Sequence, residues 1–326
     1  MVSESLTTIS FVEPVQEYMP LVEARMLEQS KGHHRDLQSA LTHLLNSGGK
    51  RVRPTVSLLV GGMISASPER TITLAAAVEL LHTATLVHDD MIDGALLRRG
   101  IPTLNSKWSP AATILTGDFI FARAAKLAAE TNSIEVMNLF ANTLSTIVNG
   151  EITQMFESKG LASRENYFNR IYAKTASMFE LAAVAPIYLG AAYDGESKLL
   201  QQYVYHIGVA FQIVDDILDF TGVQSDVGKP VASDLRQGLI TLPALCYFEN
   251  SPDDPNVQAA LNGGLGDIDK MDILVESIRE SDAISLALDE AKDHIQLGLK
   301  IIEKMPISPE RSALEDLAEY VVGRQI

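Results

Sequence analysis

Apolar residues recur at intervals of three and four along nearly the whole of this 326-residue chain, and strict alternation nowhere persists over a strand's length. That periodicity leaves helices as the regular structure able to bury a continuous hydrophobic face. Aromatic residues make up 6% of the chain, so the aromatic and β-branched runs that favour sheets are scarce. The spacing predicts helices over 12–30, 36–46, 54–65, 70–93, 110–130, 133–158, 165–180, 197–220, 237–249, 270–281, 283–303 and 309–324. Breaker residues separate them: Gly48-Gly49, Ser67-Pro68, Pro102, Ser109-Pro110, Gly160, Asp194-Gly195 and Ser251-Pro252. No Gly/Ser-rich or Pro-rich linker and no internal repeat interrupts the pattern. A single all-α domain over 1–326, one large bundle of about twelve mostly antiparallel helices, is therefore expected.

Charge narrows the function. There are 26 Lys+Arg against 42 Asp+Glu, a formal net charge of −16, so no nucleic acid partner is expected, because such proteins carry a basic footprint. An anionic substrate would have to be met by local cations or metal ions. The single cysteine, Cys246, excludes an internal disulfide framework, which fits a reduced, cytoplasmic setting. Met1 to Pro14 lacks the basic-then-apolar pattern of a signal peptide. The longest nearly uncharged apolar stretch, Leu181 to Tyr193, contains Pro186 and falls short of the ~20 residues that span a bilayer. No transmembrane segment is expected.

Helices 70–93 and 197–220 are apolar along most of their length, and each ends in aspartates. The first closes with His88-Asp89-Asp90-Met91-Ile92-Asp93, the second with Asp215-Asp216-Ile217-Leu218-Asp219. Residues four apart lie side by side on a helix, so Asp89 neighbours Asp93 and Asp215 neighbours Asp219. Like charges so placed destabilise a bare helix, more so at a C-terminus, where the macrodipole is negative. A hard divalent cation compensates, and Mg²⁺ typically bridges a few carboxylates to substrate phosphates. A solvated helix end is the ordinary reading of one acidic run. Two such runs, each following an apolar helix, favour metal sites.

Cations suited to phosphate stand nearby in sequence. Gly48-Gly49-Lys50-Arg51-Val52-Arg53-Pro54 is compact and basic, with Lys50 and Arg53 three apart. Arg98-Arg99-Gly100 follows the first aspartate cluster, and Lys174-Thr175 and Gly228-Lys229-Pro230 come later. Guanidinium groups bind phosphate oxygens bidentately, and lysine acts as a point charge. Together with the aspartates, these groups specify metal ions and polyanionic phosphates.

The order GGKRVRP, HDDMIDGALLRRG, KT, FQIVDDILD and GKP, from about Gly48 to Pro243, resembles the trans-isoprenyl diphosphate synthases, or polyprenyl synthetases. The resemblance implies the isoprenoid synthase fold, an all-helical bundle around a central cavity, acting as a homodimer. It also implies a Mg²⁺-dependent prenyltransferase, with three ions when substrate is bound, that joins isopentenyl diphosphate to an allylic diphosphate. By position, Asp89, Asp93 and Asp215 resemble direct magnesium ligands, and Asp90, Asp216 and Asp219 ligate or orient through water. Arg98, Lys174 and Lys229 would hold the allylic diphosphate; Lys50, Arg53, His82 and Arg99 would hold isopentenyl diphosphate. Lys174 through its carbonyl, Thr175 through its hydroxyl and Gln212 through its side-chain oxygen would stabilise the allylic cation.

The chain departs from the family at one point. After DLRQG a lysine commonly precedes the Thr-Leu-Pro step, and here Leu239 occupies that place, so one diphosphate cation is missing or replaced. Family members that stop at short products carry bulky aromatics four and five residues before the first aspartate cluster, where this chain has Thr85 and Ala84. A product longer than fifteen carbons is implied, with geranylgeranyl diphosphate synthase as the nearest alternative. A class I terpene cyclase would not need the second diphosphate site formed by Lys50, Arg53, His82 and Arg99. A non-catalytic partner subunit would have no reason to retain both aspartate clusters.

Overall fold

Proline placement and long-range packing decide where the helical pattern breaks. The computed structural model describes residues 10–46, 48–98, 100–156, 163–190, 194–222, 231–261 and 268–324. Among them are fifteen α-helices: α1 (Met19–Leu27), α2 (Arg35–Asn46), α3 (Val52–Met63), α4 (Pro68–Ile92), α5 (Pro110–Glu130), α6 (Ile134–Phe156), α7 (Arg164–Ile171), α8 (Ser177–Val184), α9 (Asp194–Thr221), α10 (Ser233–Arg236), α11 (Leu242–Asn250), α12 (Pro255–Leu261), α13 (Ile268–Glu280), α14 (Ala283–Ile302) and α15 (Pro309–Gly323). The all-α class is as expected, with three helices more than predicted. The stretch 165–180 is interrupted by a π-helical turn, Tyr172–Ala176, and α10 and α12 form where connections were expected. The predicted helix 12–30 also splits, because Pro14 sits in a 3₁₀ turn and Pro20 opens α1.

Backbone contacts divide the chain into two compact units. One comprises Met1–Leu144, Met178–Gln202 and Ile301–Leu317; the other comprises Ser145–Ser177, Tyr203–Lys300 and Ala318–Ile326.

In the first unit α4 packs along α5, α3 and α1. Ser67 precedes it and Pro68 occupies its first turn, where the missing N–H costs nothing. It ends in a Schellman arrangement: Gly94 is left-handed at φ +63, and the Ala95 N–H reaches the Asp90 carbonyl at 2.9 Å. By length and composition α4 could cross a bilayer, yet 78% of its most apolar window is buried inside the protein, as in a core helix. Arg51, left-handed at φ +48, opens α3 and turns its guanidinium inward. It donates to Glu79 at 2.9 Å and to the Leu45 carbonyl at 2.7 Å. After α4 comes a minimal antiparallel hairpin, β1 (Leu97–Arg98) against β2 (Ile101–Pro102), turned near Gly100 at φ +72.

In the second unit α9 presents fully buried Tyr203, Ile207, Ala210, Ile213 and Ile217. α14 approaches it closely at Gly298, where a Cβ would lie 3.2 Å from Ile207. Arg164 at the start of α7 pairs with Glu249 of α11 at 2.8 Å and with Glu290 of α14 at 2.7 Å. The Ser163 hydroxyl caps α7 by accepting from the Asn166 N–H at 3.1 Å.

Candidate active site

The first aspartate cluster closes α4. Asp89 is half-buried, Asp90 is buried and Asp93 is exposed. The hairpin places Arg98 so that its Nε and Nη2 both donate to one Asp90 carboxylate oxygen, at 2.9 and 2.8 Å. Asp90 is thereby tied to a cation and held beneath the cluster, whereas Asp89 and Asp93 lie on the more open side. His82, two turns earlier on α4, is half-buried, and its carbonyl accepts from the Thr85 hydroxyl at 2.8 Å. Further along, Ala84 and Leu81 are fully buried.

The phosphate cations proposed before α4 differ in their surroundings. Lys50 is exposed, whereas the Arg53 guanidinium lies over the Phe179 ring, 5.1 Å from its centre. Arg51, between them, serves the buried ion pair with Glu79. Arg99 and Lys229 lie outside the described residues.

The second cluster closes α9 and is threaded by hydrogen bonds. The Thr175 hydroxyl donates to Gln212 Oε1 at 2.6 Å, and Gln212 Nε2 donates to Asp216 Oδ1 at 2.8 Å. The hydroxyl of fully buried Tyr167 donates to Asp216 Oδ2 at 2.8 Å. Three predicted site residues are therefore joined in one relay, with Tyr167 at its far end. Burial pushes the Asp216 carboxyl up to about 7, helped by the like charge of Asp234 and opposed by the Gln212 and Tyr167 donors and by Arg170. Burial and the negative charge of Asp216 likewise raise the Tyr167 phenol well above its usual range. Asp219 accepts from the Ser233 hydroxyl at 2.8 Å and from the Asp234 N–H at 3.1 Å, which fastens α10 to the end of α9.

Lys174 and Thr175 project from the π-helical turn, where a wider ring displaces the side chains relative to a regular helix. The Lys174 ammonium sits 3.2 Å from Glu151 of α6. Arg324, just after α15, donates to Asp215 at 2.6 Å and to the Phe211 carbonyl at 2.8 Å, with its guanidinium 4.0 Å from the Phe211 ring centre. Sequence spacing singled out neither Tyr167 nor Arg324, which lie 49 and 109 residues from their aspartate partners. Glu151 and Arg170 were missed for the same reason, since no local pattern links them to the clusters.

The donor chemistry fits a hard divalent cation: oxygen ligands only, paired one turn apart at both helix ends. Asp89, Asp93 and Asp215, none of them fully buried, are the carboxylates suited to ligation. Asp90 and Asp216, buried and hydrogen-bonded, suit orientation. Among the described residues, no three His, Cys, Asp or Glu side chains converge into a complete cage.

Comparison with known proteins decides the family. Residues 34–278 match the polyprenyl synthetase model. The chain belongs to the polyprenyl synthetase family. It is accordingly a prenyltransferase of isoprenoid biosynthesis. Among similar polyprenyl synthetases, heptaprenyl diphosphate synthase component 2 of Geobacillus stearothermophilus is 35% identical over 93% of this chain and 94% of its own. The octaprenyl diphosphate synthase of Haemophilus influenzae is 34% identical over 86% of both chains. A polyprenyl synthase from Caulobacter crescentus, solved with calcium and isoprenyl diphosphate, superposes with a TM-score of 0.90 at 32% identity, covering 97% of this chain and 98% of that one. The isoprenoid synthase fold expected of a polyprenyl synthetase is thus present, and the likeness extends beyond the motif-bearing stretch 48–243 toward both ends of the chain.

Proposed function

We propose that this polyprenyl synthetase condenses isopentenyl diphosphate with an allylic diphosphate, with magnesium at both aspartate clusters, to give an all-trans polyprenyl diphosphate longer than fifteen carbons. The observation that carries the reading is the relay Thr175–Gln212–Asp216–Tyr167, which fixes the groups meant to face the allylic cation to a carboxylate of the second cluster. The hepta- and octaprenyl synthases among the relatives support the long product, as do the small Ala84 and Thr85. The solved relative that carries calcium with an isoprenyl diphosphate supports a divalent cation here. The family match runs through both compact units, which supports one catalytic domain over the whole chain.

Bound magnesium would supply positive charge to the departing diphosphate as the allylic C–O bond breaks. The Thr175 hydroxyl commits its proton to Gln212, so its oxygen presents lone pairs to its surroundings, the polarity an adjacent carbocation requires. The Gln212 amide is held by Thr175 on one side and Asp216 on the other, and it cannot rotate without breaking both bonds. Lys174, anchored by Glu151, contributes an ammonium to diphosphate binding. Asp90 and Arg98 neutralise each other beneath the first cluster and orient its backbone. The terminal proton is lost to the released diphosphate, and no side chain is assigned as general base.

A homodimer and a cytoplasmic location complete the reading. Val148, Ile152, Met155 and Phe156 form an exposed apolar stripe along α6, suited to a second copy of the chain, and the lone Cys246 fits a reducing compartment. The test incubates the protein with labelled isopentenyl diphosphate and each allylic primer in turn, with magnesium or chelator, and chromatographs the dephosphorylated products. Elongated linear products that disappear with chelator, and in Asp89→Ala and Asp215→Ala, are expected. Absence of elongation with every primer overturns the reading.

A further inference from the structure

We propose that Arg170 is a diphosphate-binding residue at the second aspartate cluster, taking the role that Leu239 cannot fill. Leu239 offers no donor to a phosphate oxygen. Arg170 reaches the same stretch of chain from α7: its Nη2 donates to the carbonyl of Ile240, the next residue, at 2.7 Å. Its guanidinium stacks on the Tyr167 ring, 5.5 Å from the centre, and Tyr167 in turn donates to Asp216. The charge of Arg170 is felt at both Asp216 and Tyr167.

What separates Arg170 from neighbouring cations is that, among the described residues, it has no ionic partner. Arg164 is paired with Glu249 and Glu290, Arg236 with Asp272 and Arg324 with Asp215. Among the described residues no carboxylate pairs with Arg170, and its hydrogen bond to Ile240 uses one of five N–H donors. A half-buried guanidinium beside an acidic cluster, oriented by a carbonyl and a ring with most of its donors uncommitted, suits a planar, bidentate grip on a phosphate. Arg170 also stands only four residues before Lys174 in the chain, so one short segment carries both cations.

The inference rests on the proposed synthase reading, and wild-type turnover tests that reading separately. Arg170→Gln is expected to raise the allylic KM by about tenfold or more, the scale of one charge-assisted contact, and to leave the isopentenyl KM within about twofold. Leu239→Lys added to Arg170→Gln is expected to restore most of the lost allylic affinity. Arg170→Lys, which keeps the charge and loses the fork, is expected to fall between and preserves a test if the glutamine variant fails to fold. An unchanged allylic KM in Arg170→Lys and Arg170→Gln overturns the proposal. So does an equal rise in both KM values with a lowered Tm, or a double variant no better than Arg170→Gln while wild type elongates normally.

Discussion

At the scale of single residues, Asp216 is the most informative group. It is buried, accepts from Tyr167 and Gln212, and its carboxyl is pushed up to about 7. In the unfolded chain it would titrate near the ordinary aspartate value of about 3.9. Between those values the folded state holds a proton that the unfolded state has released. This group's contribution to stability is therefore present in full below about pH 4 and is lost as pH rises through about 7. In chelator, Tm of the wild type is expected to fall more steeply between pH 5 and 7 than that of Asp216→Asn, which cannot titrate. Equal slopes would show that Asp216 is ionised throughout, with Tyr167 and Gln212 outweighing burial. The same residues show what a sequence reveals and what it withholds. Asp215, Asp216, Asp219 and Gln212 follow one another at helical spacing, so their convergence was legible. Tyr167 and Arg324 reach them only through the folding of distant segments. The inward turn of Arg51 depends on a left-handed backbone and on Glu79 one helix away.

At the scale of elements, the π-helical turn Tyr172–Ala176 is the feature that periodicity could not disclose. An extra residue in one turn leaves the flanking hydrophobic pattern intact, so 165–180 reads as one helix, yet it resets the direction of Lys174 and Thr175. The β1–β2 hairpin escaped for a related reason: two-residue strands carry no alternation to detect, although they deliver Arg98 to Asp90. The centres of α4, α5, α6 and α9 were legible because long amphipathic or apolar runs bounded by Pro and Gly leave little else to form. The π turn is supported from α6 at Gly150, where a Cβ would lie 2.6 Å from that of Ala173. Gly150→Ala must push the turn away or distort α6, and overpacking of this kind costs roughly 1–3 kcal/mol. A lowered Tm and a kcat several-fold lower are expected, because Lys174 and Thr175 move with the turn. A variant with unchanged kcat would show that the turn's exact path is unimportant to the reaction.

At the scale of the whole molecule, product length and assembly are the properties to be tested. If the growing tail follows the inner side of α4, it passes Thr85 and then Ala84 and Leu81, which are fully buried. Ala84→Phe is then expected to shorten the product in chromatography of the dephosphorylated alcohols, whatever it does to the rate. An unchanged product distribution would place the tail along another helix. Assembly is addressed on α6, where Val148, Ile152, Met155 and Phe156 recur at helical spacing and stand exposed, Phe156 at 85% and Met155 at 56%. Water against four large apolar side chains on one stripe is unfavourable by roughly 25 cal/mol per Å² left uncovered. A self-complementary contact between two copies would remove that surface. Val148→Glu with Ile152→Glu alters only exposed positions, so each chain should fold normally while charge repulsion opposes pairing. In sedimentation or light scattering the wild type is expected to run as a dimer and the double variant as a monomer with unchanged helical content. A variant that remains dimeric would move the interface away from this stripe, and a monomeric wild type would remove the homodimer altogether.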